Sequence, residues 1–209
     1  MLPGGLHGPY TPLLKYAADA AGDRAASIHP VWWRQYERPL TLAEHERSDW
    51  VSDHLAPELA AVAGSSVLLI GRSLASYGAG VAATHSIPAI WFNPVLNSAT
   101  VVRALERTQA PVMLIGGTAD PMWNPKIARR VADQVVEIPD ADHSLRVPGA
   151  LANTAAALAT SITAVEDFMD ATVWPHDAPD VATTRRATPM KAAHAPSSGP
   201  VSWCAFGDP

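Results

Sequence analysis

The stretch Val67-Leu68-Leu69-Ile70-Gly71-Arg72-Ser73-Leu74-Ala75-Ser76-Tyr77-Gly78-Ala79-Gly80 decides how the rest of the chain is read. With Ser65 and Ser66 ahead of it, its first half is a continuous apolar run, the pattern of a strand buried on both faces. Its second half is rich in small residues and predicts a helix over 74–85. A serine on the turn between strand and helix is held in a strained backbone, which lifts its hydroxyl above the sheet. Strand and helix crowd such a turn, so the residues two before and two after the serine must be small. Gly71 meets that need, and Ala75 carries one methyl group more than the Gly-x-Ser-x-Gly pattern. The plain alternative is a Ser73 that only caps the helix with its hydroxyl, since short glycine–serine patterns often arise by chance. Gly78 and Gly80 suit close helix–sheet packing. No Gly-x-Gly-x-x-Gly follows the strand and no Gly-Lys-Ser/Thr loop exists, which sets aside dinucleotide and P-loop readings.

Working outward, the same alternation repeats. Residues 12–24 have helical spacing with Pro12 suited to a first turn, and Ala25–Trp33 reads as a strand. Residues 41–63 predict a long helix opened by a Thr41/Glu44 capping box and broken or kinked at Pro57. IPAIWFN (87–93) and PVMLIGG (111–117) are further buried strands, separated by a helix around 99–108. A short helix near 125–132, a last strand at 134–139 and an alanine-rich helix over about 149–171 complete the series. Strand–helix alternation with apolar strands implies an α/β fold: a mostly parallel sheet with helices on both faces. After Trp174 the chain turns to Pro, Ala, Ser and Thr without a sustained period. The expected organisation is a core over 1–172 and a disordered tail over 173–209.

Composition narrows the function. The chain has 209 residues, 48% of them hydrophobic, and a formal net charge of −5. That suits one full core and lacks the basic stripe of a nucleic-acid binder. No apolar run approaches the ~20 residues of a membrane span, and the N-terminus lacks the form of a secretory signal. The single cysteine, Cys204, fits a reducing compartment and a cytoplasmic location. The histidines show no metal-site spacing, so no metal is expected.

Three segments in order then carry a resemblance. The turn at Ser73 comes first. VMLIGGTADPMWN (112–124) is a buried strand that puts Asp120 just past its end. VEIPDADHSL (136–145) is a strand followed by a polar loop with His143. Over about residues 2–170 the chain resembles the small, lid-poor bacterial α/β hydrolases, on the dienelactone-hydrolase-like side of that superfamily, which carry Ser, Asp and His in this order. The resemblance implies Ser73 as nucleophile, His143 as its base and Asp120 as the acid that orients the base. Asp120 as a helix cap ahead of Pro121 is the bland reading, and Asp140 and Asp142 are read as loop formers. The opening Leu2-Pro3-Gly4-Gly5-Leu6-His7-Gly8 resembles the family's glycine-rich loop. On that likeness an oxyanion hole comes from the backbone N–H of Leu74 with that of Gly5 or Leu6, and Gly5 and Gly8 are open to positive φ.

The placement has a consequence. In the family that loop follows the third strand, so this strand is expected to be missing before Met1 and the core to be N-terminally incomplete. The gap would separate Ala25–Trp33 from Ser65–Gly71. Fewer than 20 residues separate the strand at 87–93 from the next, which leaves no room for a large lid. His7, Arg72, Trp91, Met122 and Trp123, with Phe92, are candidate pocket residues, although the aromatic ones fit a plain core equally well. The expected activity is hydrolysis of a carboxylic ester or related small acyl compound, without a cofactor. Thioesterase, transacylase or amidase chemistry with the same triad, or an inactive scaffold used as a binding module, are the rival readings.

Overall fold

Residues 1–5, 7–35 and 37–174 are described in the computed structural model of this chain. The apolar runs form four parallel strands, β1 (Leu69–Arg72), β2 (Ala89–Phe92), β3 (Val112–Gly117) and β4 (Gln134–Ile138), hydrogen-bonded in that order. Side chains alternate between the faces of a strand, so both faces of this apolar sheet must be covered. On one face Leu69, Ala89, Trp91, Val112 and Leu114 join a core completed by α2 (Glu44–Ala61), α3 (Ala79–His85), α4 (Ala99–Glu106) and α5 (Pro125–Val131). On the other, Ile70, Ile90, Phe92, Met113, Ile115 and Ile138 pack under α1 (Pro12–Gly22) and α6 (Leu151–Thr172). The six residues 93–98 join β2 to α4 directly, and no lid is inserted.

Several local expectations change. The helix at α2 runs through Pro57, because its buried Trp50, Val51 and Leu55 hold the flanking turns on the core. The capping box lies two residues later than the sequence suggests: the Glu46 carboxylate accepts from the Ala43 N–H at 2.7 Å. Glu44 instead reaches across to the Ser98 hydroxyl and the Thr100 N–H at the start of α4. Ser73–Gly78 is a 3-10 turn ahead of α3. The tail at 175–209, with Cys204, lies outside the described residues.

The expected strand at Ala25–Trp33 joins no ladder, and Ala25 belongs to the turn after α1 with φ +59°. Its neighbour is the chain's first two residues. The Met1 amine donates to the His29 carbonyl at 2.7 Å and the Val31 N–H to the Met1 carbonyl at 2.8 Å. On the other side Leu2 pairs in parallel with Gly71, through Leu2 N–H to Ile70 O at 2.8 Å and Arg72 N–H to Leu2 O at 3.2 Å. Met1 and Leu2 thus occupy a strand position between 29–31 and β1 for two residues only. Below them, no backbone hydrogen bond links 25–28 to 65–68. A cavity of about 580 Å³ lies there, lined by Ala25–His29, Ser65–Ile70 and Leu55 among others. A segment joins a ladder only where a neighbour pairs with its backbone groups, and 25–28 and 65–68 do not pair with each other.

Candidate active site

All the residues of interest leave the sheet at one edge, the C-terminal ends of its strands. Ser73 follows β1 directly, Asn93 follows β2, Asp120 lies three residues past β3, and His143 lies in the loop after β4. Ser73 has φ +52°, a left-handed conformation that a non-glycine residue holds only when its surroundings enforce it. The enforcing contact is close packing at the turn. A Cβ on Gly71 would stand 2.7 Å from the Ala75 methyl and 2.7 Å from the Trp91 ring. The space that the missing side chain leaves is what the Ala75 methyl uses, and so the departure from glycine is absorbed. The Ser76 hydroxyl then ties the turn down, donating to the Ser73 carbonyl at 2.7 Å and accepting from the Val95 N–H at 3.1 Å.

The two glycines ending β3 have separate tasks. A side chain on Gly116 would overlap the Trp123 ring, and one on Gly117 would come within 2.0 Å of the Ala141 carbonyl oxygen. The bare Gly117 therefore lets the loop after β4 close over the end of β3 and brings His143 to Asp120. Within that loop the Asp142 carboxylate accepts from the N–H groups of Ser144 and Arg146 at 2.7 and 3.0 Å. This is the loop-forming role expected of it.

The three sequence-designated side chains meet. Ser73 Oγ lies 2.8 Å from His143 Nε2, and His143 Nδ1 lies 2.7 Å from Asp120 Oδ2. An ionised carboxylate only accepts, so Nδ1 donates and Nε2 is left as the acceptor for the serine proton. The Asp120 side chain is fully buried, while that of His143 is 28% exposed. Burial by itself pushes the Asp120 pKa up. Hydrogen bonds from His143, the Met122 N–H at 2.9 Å and the Asn93 amide at 3.3 Å outweigh it and hold the carboxyl below its usual range.

Other candidates sort by position. Gly4 and Gly5 lie against the 72–74 turn: a Cβ on Gly4 would meet Arg72 Nη1 at 3.0 Å, and one on Gly5 the Leu74 side chain at 3.7 Å. The Trp33 indole N–H fixes this loop by donating to the Pro3 and Gly4 carbonyls at 3.1 and 3.2 Å. Neither Gly5 nor Gly8 adopts positive φ; Gly4 and Gly8 serve by close approach, Gly8 against the Trp32 ring. Among the described residues the Gly5 N–H has no backbone partner. Leu6 lies outside the described residues.

His7 and Arg72 line a cavity of about 230 Å³ beside the triad. Met122 contributes its backbone N–H to Asp120. Trp91 and Phe92 are fully buried core, and Trp123 packs on Gly116 with its indole N–H donating to Glu137. Strand alternation turns Trp91 and Phe92 into the two cores, and the bare Gly116 lets Trp123 fold back against β3. Asn93 is the residue that sequence reading missed. It is fully buried with φ +46°, and its place at the end of β2, level with Ser73 after β1, was the available signal.

No family model matches the chain, and no curated protein matches its sequence. Solved structures do match. Est1E from Butyrivibrio proteoclasticus, in a complex with ferulic acid, superposes with a TM-score of 0.62 at 12% identity, over 82% of this chain and 87% of that one. Alpha/beta hydrolase domain-containing protein 10 from mouse gives 0.54 at 14% identity, over 81% and 88%. An α/β serine hydrolase without a lid from Xanthomonas campestris gives 0.50 at 16%, over 78% and 74%. The fold is that of the α/β hydrolases. No helix among the described residues is long and apolar enough to cross a membrane.

Proposed function

We propose that this protein is a serine hydrolase that cleaves a small carboxylic ester through an acyl-enzyme on Ser73. The observation that carries the reading is the unbroken relay of 2.8 and 2.7 Å from Ser73 Oγ through His143 to Asp120. His143 Nε2 takes the hydroxyl proton as Ser73 Oγ attacks the acyl carbon, then returns it to the leaving alkoxide. Water repeats the sequence to free the acid. Asp120 holds the imidazole tautomer and stabilises the cation that forms. The developing oxyanion is received by the N–H groups of Leu74 and Gly5, and one such donor is typically worth about 2.7–4 kcal/mol in the transition state. The direct 93–98 connection leaves the site without a cap, which favours a short or partly exposed acyl group.

Fluorophosphonate labelling tests the reading. The chain should be modified at Ser73, and Ser73→Ala should carry no label. Equal labelling of both would refute the nucleophile. A set of p-nitrophenyl esters, acyl thioesters and amides then separates ester hydrolysis from the related acyl transfers, with the esters expected to turn over fastest.

A further inference from the structure

Arg72 is the residue before the proposed nucleophile, and its position is unusual for a charge. It is 6% exposed. One nitrogen, Nη2, donates to the His143 carbonyl at 2.8 Å and to the Ser144 hydroxyl at 3.3 Å. Among the described residues no carboxylate pairs with it. A buried charge is retained at a cost of several kcal/mol unless something compensates it. Asp120 and Asp142 act on it only from a distance.

Most of the wall around Arg72 is apolar, so its guanidinium is the one charged group there. The cavity of about 230 Å³ that it lines is bounded by Thr11, Leu13, Ser144, Thr154 and Leu158 among others, and no acidic residue lines it. The Thr11 hydroxyl oxygen is buried without a hydrogen-bond partner. Thr11 is also the residue that precedes α1, yet its side chain does not cap that helix. The first-turn N–H groups of an uncapped helix favour an anion. The guanidinium and the start of α1 therefore border one small space next to the His143 loop, with an apolar floor of leucines.

We propose that this cavity is a subsite for a carboxylate carried by the ester substrate, bound by the Arg72 guanidinium. The inference rests on the acyl-transfer reading above and narrows its substrate to anionic esters. The two loop contacts use the N–H groups of Nη2, leaving those of Nη1 and Nε for single hydrogen bonds to a carboxylate.

Two matched substrate pairs test it, with kcat and KM measured separately. One pair puts the charge on the acyl side, p-nitrophenyl glutarate against p-nitrophenyl valerate. The other puts it on the leaving group, 4-acetoxybenzoate against 4-acetoxybenzamide. The wild-type protein should favour the anionic member of at least one pair tenfold or more in kcat/KM, mainly through KM. Arg72→Met should remove that preference by lowering kcat/KM for the anionic ester at least tenfold more than for the neutral one. Arg72→Lys, which keeps a charge at the cavity wall, should retain more of the preference than Arg72→Met.

A ratio near one in both pairs, with Ser73 labelled and the neutral esters cleaved, overturns the subsite and leaves the hydrolase reading standing. So does an Arg72→Met variant that slows both members of a pair equally, since Arg72 would then act only by positioning the His143 loop. Absence of both labelling and turnover overturns the hydrolase reading and the subsite with it.

Discussion

The two ends of the same sheet contrast sharply. At the C-terminal edge of the strands, four successive loops interlock, with Ser73, Asn93, Asp120 and His143 joined by hydrogen bonds of 2.7 to 3.3 Å. At the opposite edge, beside β1, the strand position begun by Met1 and Leu2 gives way to a cavity of about 580 Å³. The first region is held by specific contacts around a backbone strained at Ser73. The second has extended segments with no partner to pair with. The difference teaches that the geometry of the site depends on the short loops after the strands and on close-packed glycines, with Met1 and Leu2 alone pairing beside β1.

The largest test of that separation is at the site itself. Ser73→Ala should lower ester hydrolysis by about five to six orders of magnitude, while its thermal midpoint stays close to that of the wild type. A large drop in the midpoint would mean that the site and sheet are not separable. Asp120→Asn keeps the shape but favours the wrong imidazole tautomer, and about a 10⁴-fold loss of kcat is expected. A loss below tenfold would show that Asn93 and the Met122 N–H orient His143 without the carboxylate.

At the other edge the expected effects are on stability. Leu2 is fully buried, and Leu2→Ala should cost about 2–5 kcal/mol in denaturant unfolding. Little change would mean that the two-residue strand does not hold 29–31 to β1. Conversely, a short extended apolar segment placed ahead of Met1 should raise the melting temperature and the soluble yield by filling the cavity. An unchanged melting temperature would argue that the edges there need no strand.

The smallest effect is electrostatic. Burial lowers the Met1 amine to about 6 from 8.0, against the opposing pull of Glu58. Below that value the amine is charged in both the folded and the unfolded chain. Between about 6 and 8 only the unfolded chain keeps the proton, so stability rises with pH over this window. Comparing free and N-acetylated chains isolates this part from the histidines. Identical pH curves would show the amine to be solvated.

Much of this was legible in the sequence because it depends on local pattern. Apolar runs buried on both faces marked β1 to β3, a shorter mixed run marked the edge strand β4, and the polar loops after β1, β3 and β4 held Ser73, Asp120 and His143. The errors share a cause. Ala25–Trp33 has strand composition, but a strand is a relation between two segments, and its neighbour is only two residues long. Pro57 weakens a helix locally, yet burial of Trp50, Val51 and Leu55 overrides it. Of the two readings open for the aromatic residues, Trp91 takes the core one through the strand's pleat and Trp123 by packing on Gly116.

By itself the sequence determined the alternation of strands and helices, the glycines that close approach requires, and which serine, aspartate and histidine follow which strand. Those are properties of neighbours along the chain. Only the tertiary structure decided that Asn93 supports Asp120, that Arg72 is buried beside the triad, and that Met1 and Leu2 pair with both 29–31 and β1. Each of these joins residues that are remote in sequence or turns on burial, and no local pattern carries that information.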